Sequence, residues 1–499
     1  MGTLTWYLTA LAAVVYYAIL RKRSKSRLPL PPGPKKLPLI GNLFDIPPER
    51  QWESFQRWSR EFDSDIIHLE VAGTSIVVLS SMEAAHALFE KRSSLYSDRA
   101  RAPMLVELMG WDFAIGKRAH RKIFHEAFNV GAAKHFHPQE RAAAHAVLRR
   151  LLQSPHDVMG QFRHMAGGLI LNVAYGIKVR PFDDPYIELA EEAMHSVSVV
   201  SIPGSFLVDI IPALKYVPRW VPGAGFKRKA EHWRKAARNL LEVPSSHTGM
   251  ASPSFASLSL RNLDASQDAD KEAQEALIKA VAANMYSGGA DTTVSALGTF
   301  VLAMLAHPDV QARAQAEIDS VVGPGNLPDF SDEASLPYVS AIVKEVLRWQ
   351  NVTPIGFPHY ITVEDEYAGY RIPAGSVVIG NTWSILHDEK MYPDPHSFKP
   401  ERFLLDGKLN GAVRDPETAA FGFGRRMCPG RHMALGSIWI TVASILATLK
   451  IDKSVDDDGE EVEPSYEYSR GLIPAPLSFK CSITPRSPQA AEAIKGVEN

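Results

Sequence analysis

Near the end of the chain stands Phe421-Gly-Phe-Gly424-Arg-Arg426-Met-Cys428-Pro-Gly430. A cysteine sits in a glycine-rich loop, immediately ahead of an apolar run over 430–449 that reads as a helix. Gly424 and Gly430 carry no Cβ, so backbone there can approach a flat cofactor closely. The N–H groups and dipole at the start of the following helix favour a negatively charged sulfur. Arg426 is placed to meet a carboxylate near that sulfur, and Phe421 to cover one face of the cofactor. The other cysteine, Cys481, lies in the strand-like LSFKCSIT and reads as a small buried core residue. Two cysteines in 499 residues allow at most one bridge. They fit a reducing compartment or a ligand role.

Upstream, residues 271–306 form one apolar-periodic run, longer than an average helix. In its middle stands Gly288-Gly-Ala-Asp291-Thr292-Thr293. Paired glycines and β-branched threonines are poor helix formers, which predicts a local opening at a functional spot. A solvent-facing polar turn is the alternative, and the apolar residues on both sides oppose it. Residues 335–349 read as a further helix carrying Glu345 and Arg348, three apart and so on one face. Such pairs on a surface contribute little. With Arg402 of Pro400-Glu-Arg402-Phe as a third partner, a buried network becomes plausible. Residues 66–70 and 75–79 read as β-branched strands around a turn at Gly73, with shorter strands near 367–372 and 377–379. From Ser487 the chain is polar and expected to fray. The expected fold is mainly α with small β-sheets, α+β in the loose sense, over a body at 39–486 and a tail at 487–499.

Composition is ordinary for a globular protein, 45% hydrophobic and 22% charged. A net charge of -2 gives no reason to expect nucleic acid. The N-terminus is more informative. Residues 4–20, LTWYLTALAAVVYYAIL, carry no charge, and Arg21, Lys22, Arg23, Lys25 and Arg27 follow at once. A cleaved signal peptide places its positive charge before the apolar run; here it comes after. This order predicts a retained membrane anchor at 1–20 with the body on the cytosolic side. Pro29, Pro31, Pro32, Pro34 and Pro38 then make a stiff, extended hinge at 21–38.

The loop matches F-x-x-G-x-R-x-C-x-G in full and resembles the haem-binding loop of the cytochrome P450 superfamily. Glu345-x-x-Arg348, Pro400-Glu-Arg402-Phe and the Gly288–Thr293 motif stand in that superfamily's order, and the anchor and hinge are similar to its microsomal branch. The overall flavour resembles basidiomycete members of secondary metabolism. The resemblance implies haem b with Cys428 as axial iron ligand, and Glu345, Arg348 and Arg402 as a structural triad. It implies an endoplasmic reticulum membrane protein fed by NADPH–cytochrome reductase. No G-x-G-x-x-G follows a strand, so electrons must come from a separate protein. Oxygen cleavage needs protons, and a hydroxyl backed by a carboxylate that reaches solvent is a suitable relay. Thr292 and Asp291 are assigned to that task.

Haem carboxylates need cationic partners. Arg426, His359 and Arg121 stand where the superfamily places them. Four before Arg121, where relatives carry tryptophan, this chain has Lys117, and the segment from Trp111 is several residues short. Either the Lys117 ammonium replaces the indole donor or the segment is truncated. Lys117, Arg118, Arg121 and Lys122 form a basic patch that either steers an acidic flavoprotein or is simply solvated. The resemblance places the substrate pocket under residues near 95–113, 206–208, 284–290, 353–357 and 472–474, mostly apolar, with Asn284 as its polar handle. The implied reaction is insertion of one oxygen atom into a terpenoid or aromatic metabolite. Two rivals are a haem-thiolate isomerase or dehydratase, and a degenerate haem-binding protein.

Overall fold

The computed structural model describes residues 28–114, 118–201, 205–245, 254–264 and 270–496. The expected anchor, the basic part of the hinge and Lys117 lie outside these residues.

The first strands are β1 (Ile66–Val71) and β2 (Thr74–Leu79), an antiparallel hairpin. Its two turn residues, Ala72 and Gly73, both have positive φ (47° and 85°), as a tight hairpin with native twist requires. Then come β3 (His359–Tyr360) and β4 (Val377–Gly380). The sheet runs β1-β2-β4-β3, with β2 and β4 parallel and β3 antiparallel at the edge. Where one strand was expected near 367–372, a small hairpin pairs Asp365–Tyr367 with Tyr370–Ile372. Ala368 and Gly369 turn it, both at positive φ. A second sheet joins β5 (Leu449–Val455), β6 (Glu461–Val462) and β7 (Cys481–Pro485) in the order β6-β5-β7. Cys481 is buried there, opposite Lys453.

The helices that build the site are α1 (Arg118–Phe128), α2 (His137–Gln153), α3 (Val158–Tyr175), α4 (Pro185–Val200), α5 (Gly225–Glu242), α6 (Lys271–Ala306), α7 (Pro337–Trp349) and α8 (Arg431–Thr448). Their ends follow local chemistry. Asp184 accepts from the N–H groups of Tyr186 and Ile187 at the start of α4, and Pro185 fills the first turn. α3 stops at Gly176, in the left-handed conformation. α6 ends at Ala306, just before His307-Pro308, because the residue ahead of a proline disfavours helix. α7 is capped from outside: the Glu317 carboxylate accepts from Tyr338 N at 2.9 Å and Val339 N at 3.1 Å.

α6 is apolar and long enough to cross a membrane, yet it is mostly buried inside the protein and is a core helix. It packs on α3, α1, α7 and α8. Phe162, Phe300, Leu302, Val339, Ile440 and Leu446 meet there with no exposed surface. Burying each such side chain contributes about 1.5–3 kcal/mol. The end of the chain departs from the expected frayed tail. It forms α9 (Pro488–Gly496), which buries Ala490 and Ile494 and is capped by the Ser487 hydroxyl.

Candidate active site

The cysteine loop is closed by its own backbone. Cys428 N donates to Phe421 O at 2.7 Å, and Met427 N donates to Gly424 O. Gly422 and Gly424 have positive φ. At Gly424 the fold itself requires glycine. A Cβ there would lie 2.1 Å from the Phe89 carbonyl oxygen, so the residue lets the loop dock on the wide helical turn His86–Lys91. At Gly430 a Cβ would meet nothing nearer than the Phe124 ring, at 3.8 Å. Phe421 is half-buried against the main core, while Phe423 is fully buried beside Phe89.

Cys428 keeps some exposed surface, while the protein packed around its thiol desolvates the sulfur. Burial raises the thiol's pKa. The Gly430 N–H and the charges of Arg121 and Arg431 oppose that rise. Each of these three stabilises a thiolate.

Three guanidiniums gather nearby. Arg426 Nε donates to Ser97 O at 2.6 Å. Arg121 donates to Met427 O. Arg99, which the sequence reading missed, donates to Phe357 O at 2.7 Å and to Pro358 O at 2.6 Å. Burial and the charges of Arg426 and Arg121 push Arg99 down to about 10. Such mutual repulsion marks a place where an anion is wanted. His359 lies beside them, fixed by β3 and stacked on Phe89 at 4.0 Å. Its Nδ1–H donates to Tyr96 O at 2.6 Å. Burial and the Arg99 charge push its pKa down to about 3, so the ring is neutral. In that form Nε2 carries a lone pair, and meeting a carboxylate requires a second proton. The carboxylate itself would favour that proton.

α6 runs unbroken through the Gly288–Thr293 motif, and the expected opening is absent. Thr292 Oγ1 donates to Gly288 O and Thr293 Oγ1 to Gly289 O, both at 2.7 Å. These back-bonds satisfy the hydroxyls inside the helix. The weak spot shows in packing instead. Gly289 presses on Ile170 of α3, whereas nothing lies within 4 Å of a Cβ built at Gly288. α6 is therefore closed on one side and open at Gly288 and Thr292 on another. Asp291 is half-buried, and burial raises its pKa against the opposing charge of Arg163. Arg163 on α3 and Glu191 on α4 approach to 3.8 Å, both well exposed, and Glu191 feels the Asp291 charge. A chain of ionisable groups thus leads from Asp291 to water. Asn284, expected as the polar handle of the pocket, is engaged elsewhere. Its amide donates to Phe113 O at 2.8 Å and Ala280 O at 2.6 Å.

The structure brings Glu345, Arg348 and Arg402 together. Glu345 and Arg348 have no exposed surface and form a bidentate pair at 2.7 and 2.8 Å. Arg402 Nε reaches Glu345 at 3.1 Å, and Lys399 N donates to the same oxygen. Of the basic patch, Arg121 is turned inward and Lys122 is exposed beside Glu126.

Haem, the group that the sequence resemblance implies, suits these residues. The Cys428 thiol provides a soft ligand. Repelling guanidiniums suit its two carboxylates. Comparison with known proteins agrees. A family model described as Cytochrome P450 matches residues 31–480. Cytochrome P450 monooxygenase 98 of Postia placenta is 50% identical over 98% of this chain and 96% of its own length. Cytochrome P450 monooxygenase ple1 of Rhodocybe pseudopiperita is 44% identical over 97% of this chain and 95% of its own. Tryptamine 4-monooxygenase of Psilocybe cyanescens is 40% identical over 97% and 98%.

Proposed function

The chain belongs to the cytochrome P450 family and is a monooxygenase of that family, and we propose that it holds haem b through Cys428 and inserts one oxygen atom into an apolar metabolite. The single observation that carries this reading is the desolvated Cys428 thiol facing Arg121, one of three mutually repelling guanidiniums. When bound, the haem supplies dioxygen activation, helped by electron density from an axial thiolate.

The chain's own residues bind, orient and supply protons. Cys428 would ligate the haem iron, with the Gly430 N–H directed at its sulfur. Phe421, Gly424 and Gly430 shape the loop around it. Arg426, Arg99 and His359 meet the haem carboxylates, with Arg121 close by. The Thr292 oxygen donates its proton to Gly288 O and keeps lone pairs with which to accept a hydrogen bond from water. The raised carboxyl of Asp291 is a better proton donor near neutral pH than an ordinary aspartate. Arg163 and Glu191 link it to solvent.

Electrons come from NADPH through a separate reductase, since the sequence carries no nucleotide-binding fingerprint. The apolar run at 4–20 with its basic flank supports an anchor in the endoplasmic reticulum membrane and a cytosolic body. Exposed Leu39, Phe44, Tyr216 and Trp220 add apolar surface suited to a membrane. The substrate class is a terpenoid or aromatic metabolite. A relative named for tryptamine supports the aromatic half of that class.

Turnover of extracted metabolites with NADPH and reductase tests the reading. Product that requires NADPH, reductase and oxygen supports it, and product formed without NADPH would identify an isomerase. Thr292→Ala sharpens the test. Product formed per NADPH should fall about tenfold, roughly 1.4 kcal/mol of barrier, with haem content kept. Unchanged coupling would remove Thr292 from the proton path.

A further inference from the structure

We propose that Ser295 and Thr299 of α6 are positioning residues that fix the turn over the substrate pocket and so set the size of ligand the pocket admits. The proposal rests on the reading of residues 472–474 as pocket lining. Residues 467–477 fold back on themselves. Ser469 N donates to Ala475 O at 2.7 Å, and Leu477 N to Glu467 O at 2.9 Å. The Ser469 hydroxyl accepts from Ala475 N at 3.0 Å. Beyond these rungs, residues 470–474 contain no helix or strand. Gly471 has positive φ, 117°, and a Cβ there would lie 3.9 Å from Ser198 O of α4. Leu472 packs on the cluster that holds Ile355 and Ile379. The turn therefore bridges α4 and β4, and its height is left to whatever fastens its two legs.

α6 does the fastening. Ser295 Oγ donates to Pro474 O at 2.7 Å, on the leg that leaves the turn. Thr299 Oγ1 and Tyr468 Oη are 3.0 Å apart, on the leg that enters it. Between them, a Cβ at Gly298 would press on the Met159 thioether at 2.7 Å and on the Pro476 ring at 3.2 Å. The missing side chain lets the fold-back lie against the helix. Positions 295, 298 and 299 share one helix face. Ser295 and Thr299 are both buried. Ser295 stands three residues beyond Thr292, about 4.5 Å along the axis. The hydroxyl that fastens the turn is thus one step along the helix from the one assigned to the proton path. A bulky ligand that lifts the turn must give up the Ser295 bond, and a small ligand need not. The bond acts as a size filter.

The test uses full-length holoprotein and azoles of increasing length: 1-methylimidazole, 1-phenylimidazole and 1-(biphenyl-4-yl)imidazole. The azole nitrogen ligates the iron at a fixed point, so the tail reports the clearance to the turn. Dissociation constants come from the shift of the haem absorption band. Ser295→Ala should improve the biphenyl affinity relative to the methyl affinity about fivefold, the scale of one neutral hydrogen bond that no longer has to break. Thr299→Val should move the same ratio in the same direction by about twofold, and the 1-methylimidazole constant should stay within about twofold throughout. Thr441→Val is the control. It removes a buried hydroxyl of α8 that bonds Ser437 O in its own helix, and should leave the ratio as in wild type. Should Ser295→Ala lose its haem, Thr299→Val decides. A ratio unchanged in the folded variants, or moved as far in Thr441→Val, would overturn the proposal and leave the two hydroxyls a purely architectural role. No band shift with any azole in wild type would instead sink the haem reading, and this proposal with it.

Discussion

Two groups of arginines in this protein are built on opposite terms. Around Glu345, Arg348 makes five hydrogen bonds, to both carboxylate oxygens and to the carbonyls of Leu386, Pro395 and Ser397. A guanidinium has five N–H donors, so none is left over. Around Cys428, Arg99 uses one nitrogen among the described residues, on two carbonyls, and its charge is opposed by two more guanidiniums. The first group is finished by the protein itself and serves as architecture. The second carries mutually opposed charge, which an added anion would relieve. The same residue type thus marks scaffold or binding site according to whether its donors and charge are already answered.

Breaking the closed group should have the largest effect. Glu345→Ala leaves two guanidiniums in the core without their carboxylate, which should cost about 3–5 kcal/mol of folding free energy. Denaturant unfolding of the apoprotein measures it. A loss under about 1 kcal/mol would mean that the network is not the buried ion pair described.

The open group should respond with the opposite sign. Arg99→Gln should weaken haem binding by about 1.5–3 kcal/mol, one charged hydrogen bond, while leaving the apoprotein as stable as wild type or more so. Haem titration and thermal unfolding of apoprotein separate the two effects. If Arg99→Gln unfolded the apoprotein as Glu345→Ala does, the distinction between the groups would collapse.

A buried acid gives a third, smaller case. Glu140 on α2 is buried, and one oxygen accepts from the Ser437 hydroxyl at 3.0 Å while the other has no partner among the described residues. Burial raises its pKa from 4.5 to about 8, with Ser437 opposing weakly. The folded protein holds this proton more tightly than the unfolded chain does. The stability it brings is complete below about pH 4.5 and is lost as pH rises through about 8. Glu140→Gln should flatten that decline, by about 1 kcal/mol at the alkaline end. An identical pH profile in both proteins would show that Glu140 does not titrate in the fold.

Much of the site was legible because its chemistry is local. The residues 421–430, the helix over 271–306 and the pair three apart at 345 and 348 each announce themselves within a few residues. What escaped depends on distant neighbours. Arg99 stands among Arg92 and Arg101, three arginines in ten residues, and nothing nearby singles it out; its role appears only when Arg426 and Arg121 converge on it from elsewhere in the chain. Gly424 needs to be glycine because of Phe89, far away in sequence. Asn284 looked like a substrate handle, but the carbonyl that engages it belongs to Phe113. The paired glycines and threonines of α6 predicted an opening, and the i−4 bonds of the two hydroxyls keep the helix whole. The final helix is short and polar on its outside, and only its packing of Ala490 and Ile494 makes it visible.

The account stands or falls on the sulfur of Cys428. The direct measurement is the carbonyl difference spectrum of reduced protein for wild type, Cys428→Ala and Cys481→Ala, each with its haem content determined. The prediction is that Cys428→Ala loses the red-shifted thiolate band entirely, while Cys481→Ala, which changes only a buried position in β7, keeps it at full amplitude per haem. A red-shifted band that survives in Cys428→Ala, or that disappears in Cys481→Ala with haem still bound, would contradict the account.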